Sequence, residues 1–171
     1  MGQTTLSKWQ RTSNNKWMPI SIRHAGDTDA DAVARIVNQA YEVERVFVRG
    51  DRTNPADVLA HMGNGVLLVA AEGGATVGCI YVEVHDDRGS FGMLAVDPSR
   101  QHAGLGRQLI DAAERHIRDA GGRSIDIHVV NLRHDLLPWY RRLGYVDVGT
   151  APYVHRPTIQ PCHFVLMRKE L

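Results

Sequence analysis

Apolar positions along the chain repeat at two periods, and the switches between them predict the elements. "ISIRHA" is a short alternating strand, and in "DTDADAVARIVNQAYEVERVF" Val33, Ile36, Val37, Ala40 and Tyr41 recur at helical spacing behind the cap candidates Asp27, Thr28 and Asp29. "PADVLAHM" reads as a short helix opened by Pro55, and "GVLLVAAE" and "TVGCIYVEV" read as strands joined at Gly73-Gly74. "SFGMLAV" is a fourth strand, stopped by Asp97-Pro98. A long helix follows in "GLGRQLIDAAERHIRDA", with Leu105, Leu109, Ala112, Ala113, His116 and Ile117 on one stripe and Gly121-Gly122 ending it. "RSIDIHVV", "YVDVG" and "HFVLMRK" complete seven strands, with a short helix "DLLPWYRRL" between the first two. Residues 1 to 18 carry neither period and read as a polar arm with Trp9 and Trp17, which leaves 19–171 as a single domain.

Strands in hairpin succession, followed by strand, helix, strand, helix, predict an α/β (α+β) fold: a mixed sheet with helices on both faces. Composition narrows the partners. Lys+Arg 20 against Asp+Glu 19 gives a formal net charge of +1, which argues against nucleic acid, whose binders carry a basic excess or patch. Cys79 and Cys162 lie outside any CxxC spacing and read as free thiols in a reducing compartment, with one remote disulfide as the alternative. No run is long enough to span a membrane and residues 1–19 lack a signal peptide's apolar stretch, so a cytoplasmic protein is expected. The nine histidines form no HExxH or compact cluster, so no metal site is expected.

The junction between the fourth strand and the long helix, "SRQHAGLGRQLI", carries chemistry. The first turn of a helix leaves amide groups without intrahelical partners at the positive end of its dipole. Glycine at 104 and 106 removes the Cβ atoms that would hold a phosphate away from them, and Gln101, His102 and Arg107 add side-chain donors. The alternative is a tight strand-to-helix turn and nothing more. The dinucleotide fingerprint fails, because Leu109 stands where its third glycine belongs, and a Walker loop fails at Arg107-Gln108.

The stretch "MLAVDPSRQHAGLGRQLIDAAERHI" resembles the acetyl-CoA-binding motif of the GNAT superfamily of N-acetyltransferases: Val96 and Pro98, then Gln101, Gly104 and Gly106 in register, then Leu109-Ile110. "VVNLRHDLLPWYRRLGY" is similar to the family's downstream segment, with Asn131, Tyr140, Leu143, Gly144 and Tyr145. The spacing from Asn131 to Tyr140 is two residues longer than in the commonest family version, and Pro138 sits inside the helix. The resemblance covers residues 20 to 171. It implies a GNAT fold, with a mostly antiparallel sheet of about seven strands splayed between the fourth and fifth. It also implies acetyl-CoA as cofactor, with pyrophosphate on the N–H groups of His102, Ala103, Gly104, Leu105, Gly106 and Arg107 beside the Gln101 side chain, and pantetheine along Leu94, Ala95 and Val96 and against Asn131. Tyr140 is implied as the general acid for the departing thiolate.

The residues leave the base open. Alternation puts Tyr81, Glu83 and His85 on one face of their strand and Asp126 and His128 on one face of theirs. Glu83 is the candidate base acting through water, with Asp126 or His128 as alternatives, against a partly solvated sheet face with paired charges. Family members build the acceptor wall from the first two helices, here with Tyr41, Glu44 and Arg52, which would bind substrate together with His128; the other reading of that charge run is a solvated helix face. The expected function is acetyl transfer to a primary amine of a small molecule, amino acid or peptide through a ternary complex. The alternatives are a non-catalytic acyl-CoA sensor and a protein N-terminal acetyltransferase. Homodimers are common among relatives; neither a membrane nor a nucleic-acid partner is expected.

Overall fold

In the computed structural model, residues 19–101 and 103–171 are described. The arm expected over residues 1–18 and the candidate donor His102 lie outside them. The elements in chain order are β1 (Ile20–His24), α1 (Ala30–Ala40), α2 (Pro55–Asn64), β2 (Val66–Glu72), β3 (Ala75–His85), β4 (Arg88–Val96), α3 (Leu105–Asp119), β5 (Ser124–Val130), α4 (Leu136–Arg142), β6 (Val146–Pro152) and β7 (His163–Glu170). The seven strands make one sheet in the order β1-β2-β3-β4-β5-β7-β6, antiparallel except for β4 and β5. Hairpin chemistry explains the antiparallel half, since Gly73 and Gly74 both take positive φ in the β2–β3 turn. The one parallel pair needs a crossover, which α3 provides.

Both sheet faces are covered. Leu105, Leu109, Ile110, Ala113 and Ile117 of α3 pack with Ile80 and Val82 of β3, Ile125, Ile127 and Val129 of β5, and Tyr140 and Tyr145. On the other face Val33, Ile36 and Val37 of α1 and Val58 of α2 pack with Val69, Cys79, Tyr81, Met93 and Ala95. The alternation read for β3 thus holds in three dimensions. Pro138 is tolerated in α4 because it falls in the first turn, where its missing N–H would have had no intrahelical partner. Cys79 and Cys162 are both free.

Two expectations for the first helix change. Its periodicity extends to Phe47, but α1 stops at Ala40 and residues 42–46 form a 3₁₀ turn. That tightening turns Glu44 inward, where it is 4% exposed, and leaves Val43 and Val46 outside. Asp29 sits at the start of α1 without capping it. Its carboxylate instead accepts two hydrogen bonds from Arg23 at 2.8 and 2.9 Å, one from the Gly26 amide at 2.8 Å and one from the Thr76 hydroxyl at 3.0 Å. Those bonds, the Arg23 guanidinium first, hold the Asp29 carboxyl at about 2, below its ordinary 3.8.

A carboxylate whose folded value is depressed stabilises the fold above its unfolded value and loses that contribution as pH falls through its folded value. The wild type is therefore expected to exceed Asp29→Asn by about 2 kcal/mol in urea unfolding near neutral pH. The gap should close as pH falls from 3.8 toward about 2; a gap that ignores pH would contradict the assignment.

Candidate active site

Pairing between β4 and β5 is confined to Arg88↔Ser124, Gly89↔Ile125 and Ser90↔Asp126. From Phe91 onward β4 has no partner on that side, while β5 remains paired with β7 through Val130. A bulge accompanies the parting. Tyr81 faces Gly92 and Cys79 faces Ala95, so Ile80 stands opposite two residues, and Met93 takes φ +50. A non-glycine residue in that region costs about 1 kcal/mol and persists only where its surroundings hold it. Here Met93 is 4% exposed and packed against the α1 face. The bulge bends β4 away from β5 and lays the Leu94–Val96 backbone along a cleft.

That cleft, about 440 Å³, is lined by Leu94, Ala95, Val96, Gln101, Gly104, Leu105, Gly106 and Arg107 among others. Gly104 precedes α3 with φ +75, which only glycine adopts without strain, and among the described residues no side chain caps the helix. A Cβ built on Gly106 would project toward the Trp139 ring at 3.5 Å and Val96 at 3.9 Å, both cleft residues. The glycine spacing therefore leaves room within the cleft at an uncapped helix N-terminus. Arg100, Arg133 and Arg142 add cationic lining that the sequence reading did not single out. Arg100 is paired with Glu72 and Arg107 with Asp111; Arg142 makes no ion pair among the described residues. Ala103 is exposed and is not part of the lining.

A second, smaller cavity of about 90 Å³ lies beside the cleft, and Tyr41, Leu94, Arg133, Leu136 and Tyr140 line both. Tyr140, on α4, is 6% exposed as a residue. Its hydroxyl has no hydrogen-bond partner among the described residues, and no buried side-chain oxygen there is left unsatisfied, so the hydroxyl opens to the cavities. Burial raises its pKa well above a phenol's ordinary value, and the proton stays on the oxygen. The smaller cavity adds Glu44, Arg52, Phe91, His128, Tyr153 and His155. Glu44 is clamped by Arg133 at 3.3 Å and Arg156 at 2.8 Å.

Three expected site residues lie elsewhere. Asn131 accepts a hydrogen bond from the His163 amide at 2.9 Å and is absent from both linings. With two extra residues before Tyr140, the position at the family's usual distance is 133, and Arg133 occupies the junction. Glu83 faces Ser90, at the end where β4 and β5 still pair, and lies outside both cavities. It accepts from the Tyr81 hydroxyl at 2.5 Å, which, with a contact to His85, lowers its pKa and weakens it as a base. Asp126 is paired with Arg168 at 2.6 Å. Of the three base candidates only His128 reaches the cavity that contains Tyr140.

Comparison with known proteins agrees with this geometry. Residues 63–147 match the family model described as acetyltransferase (GNAT) domain. A mycothiol acetyltransferase of Propionibacterium freudenreichii is 35% identical over 96 residues, which are 52% of this chain and 31% of that protein. One from Amycolatopsis mediterranei is 28% identical over 128 residues, 68% of this chain and 42% of that protein. The chain thus spans less than half the length of the curated relatives it matches. The ribosomal-protein-S18-alanine N-acetyltransferase of Escherichia coli superposes with a TM-score of 0.74 at 18% identity, over 89% of this chain and 94% of that one. A Salmonella typhimurium structure solved with its cofactor acetyl-CoA gives 0.71 at 18%, with the same coverage. At these identities the structural likeness is one of fold.

The open space at Gly106 gives a direct test. Gly106→Val fills it against Trp139 without a backbone penalty, because residue 106 lies within α3. Coenzyme A affinity measured by calorimetry should fall by about tenfold or more, equivalent to at least ~1.4 kcal/mol, with the melting temperature kept; unchanged affinity would contradict the cradle.

Proposed function

Since the chain belongs to the GNAT superfamily, we propose that it is an acetyl-CoA-dependent N-acetyltransferase that transfers the acetyl group directly to a primary amine. The observation that carries this reading is the meeting of two cavities at Tyr140: a long cleft suited to a phosphate-bearing cofactor and a smaller one suited to an acceptor. The free cysteines fit a reducing, cytoplasmic setting.

Acetyl-CoA supplies an acyl group activated as a thioester. The chain supplies the rest. The amides at the start of α3 and the side chains of Arg107 and Arg142, which line the cleft, would hold the pyrophosphate. The backbone of Leu94, Ala95 and Val96 along the cleft would hold the pantetheine arm as an added strand is held, with the gap-facing amides of Leu94 and Val96 as donors for the oxygen on which negative charge develops. His128, the one base candidate that lines the cavity containing Tyr140, takes the proton that an ammonium must lose before attack. Tyr140 keeps its proton until the thiolate departs and then donates it. Arg133, which lines both cavities, is itself fixed at the junction by its pairs with Glu44 and Asp135.

The test is free-thiol release by purified protein given acetyl-CoA and a panel of amines, amino acids, peptides and mycothiol-type acceptors, with coenzyme A binding read by thermal stabilisation. Acceptor-dependent release is expected. Tyr140→Phe should lower turnover by about 10²-fold with coenzyme A affinity retained. Stabilisation without release across the panel would favour a coenzyme A sensor, and wild-type turnover in Tyr140→Phe would remove that residue from the mechanism.

A further inference from the structure

The acceptor cavity has an uneven charge. Its one carboxylate, Glu44, has both oxygens occupied, Oε1 by Arg133 and Oε2 by Arg156. It therefore has little capacity left to hold an ammonium group. Apart from the neutral phenols of Tyr41, Tyr140 and Tyr153, the other ionisable lining is cationic or basic: Arg52, Arg133, His128 and His155. Arg133 is further compensated by Asp135 at 3.0 Å. Arg52 is not: it forms no ion pair with any carboxylate among the described residues, and its guanidinium lies over the Tyr41 ring, 5.4 Å from the centroid.

Arg52 is also held in place. The Asn38 side chain of α1 accepts from the Arg52 amide at 2.9 Å and the Thr53 amide at 3.1 Å, and donates to the Thr53 carbonyl at 2.9 Å. Three bonds from one helical side chain fix the loop that carries the free cation, and Thr53 is buried beneath it. A fixed, half-buried guanidinium beside an aromatic face, open to a cavity and without a counter-ion, is a ready site for a carboxylate.

We propose that Arg52 forms an anion subsite in the acceptor cavity, so that the acceptor is a primary amine carrying a carboxylate, of amino-acid type. This rests on the acetyltransferase reading and specifies its substrate. The same charge helps the chemistry, because nearby cations disfavour an ammonium and so ease the loss of its proton. His155 reports that field: burial, then Arg52, His128 and Arg156, lowers its pKa. Diamines and polyamines are poor acceptors on this account, since nothing in the cavity compensates a second ammonium.

The experiment compares the twenty N-acetyl amino acids with their carboxamides as product-side ligands, titrated into wild type, Arg52→Gln and Arg52→Lys, with and without coenzyme A. At least one carboxylate is expected to bind about tenfold tighter than its carboxamide, a ratio that Arg52→Gln brings to near unity and Arg52→Lys partly keeps. Equal binding of each pair to the wild type, or a preference that survives Arg52→Gln, would overturn the subsite. Coenzyme A stabilisation, recorded separately on each variant, tests the reading beneath it and does not enter the ratio.

Discussion

The site depends on hydrogen bonds that β4 and β5 do not make. Two parallel strands in the middle of a sheet would ordinarily pair along their full length, since unpaired buried backbone is costly. Here they pair over three residues and part at Ser90 and Asp126. The bulge at Met93 turns the remainder of β4 away, and β7 keeps β5 paired on its far side. The resulting gap presents an unpaired strand edge that continues, within eight residues, into the uncapped N-terminus of α3. One irregularity in the sheet thus creates both surfaces a long phosphorylated thioester needs.

The walls of the gap are also anchored by buried side-chain networks. Glu44 joins the turn after α1 to Arg133, before α4, and to Arg156, in the β6–β7 connection. Three segments remote in sequence converge on one buried carboxylate. Removing that carboxylate would leave two guanidinium groups, 14% and 11% exposed, with reduced compensation. On the opposite wall, Glu114 of α3 accepts from Tyr145 at 3.1 Å and Lys169 at 2.8 Å, tying the cofactor helix to the α4–β6 segment and β7. The smaller cavity and the cleft are therefore braced by separate polar networks, and Tyr140 lines both cavities.

The elements were legible in the sequence because glycine pairs and Asp-Pro mark their ends. The Gly104 and Gly106 turn was legible because its chemistry is local. What escaped was position along a strand and the length of a connection. Alternation identifies the face on which Glu83 lies but not its height, and its partner Ser90 places it at the closed end of the splay. Asn131 has the residue type of the family motif, but the longer connection commits it to the His163 amide and brings Arg133 to the junction. Glu44 reads as a substrate-binding candidate or as part of a solvated charge run, since nothing local reveals that arginines 89 and 112 residues away will close on it. Arg52 was a candidate by its place in the family's acceptor wall and its charge; its value depends on the Asn38 clamp and on having no carboxylate partner among the described residues, both properties of the folded chain.

The central claim is that the unpaired β4 edge and the uncapped start of α3 hold the cofactor. Amide hydrogen exchange with and without coenzyme A tests it most directly. Protection gained at Leu94 and Val96, whose amides face the gap and not β3, together with Gly104, Leu105, Gly106 and Arg107 is the result this account predicts. Bound coenzyme A with those amides exchanging as fast as before would contradict it.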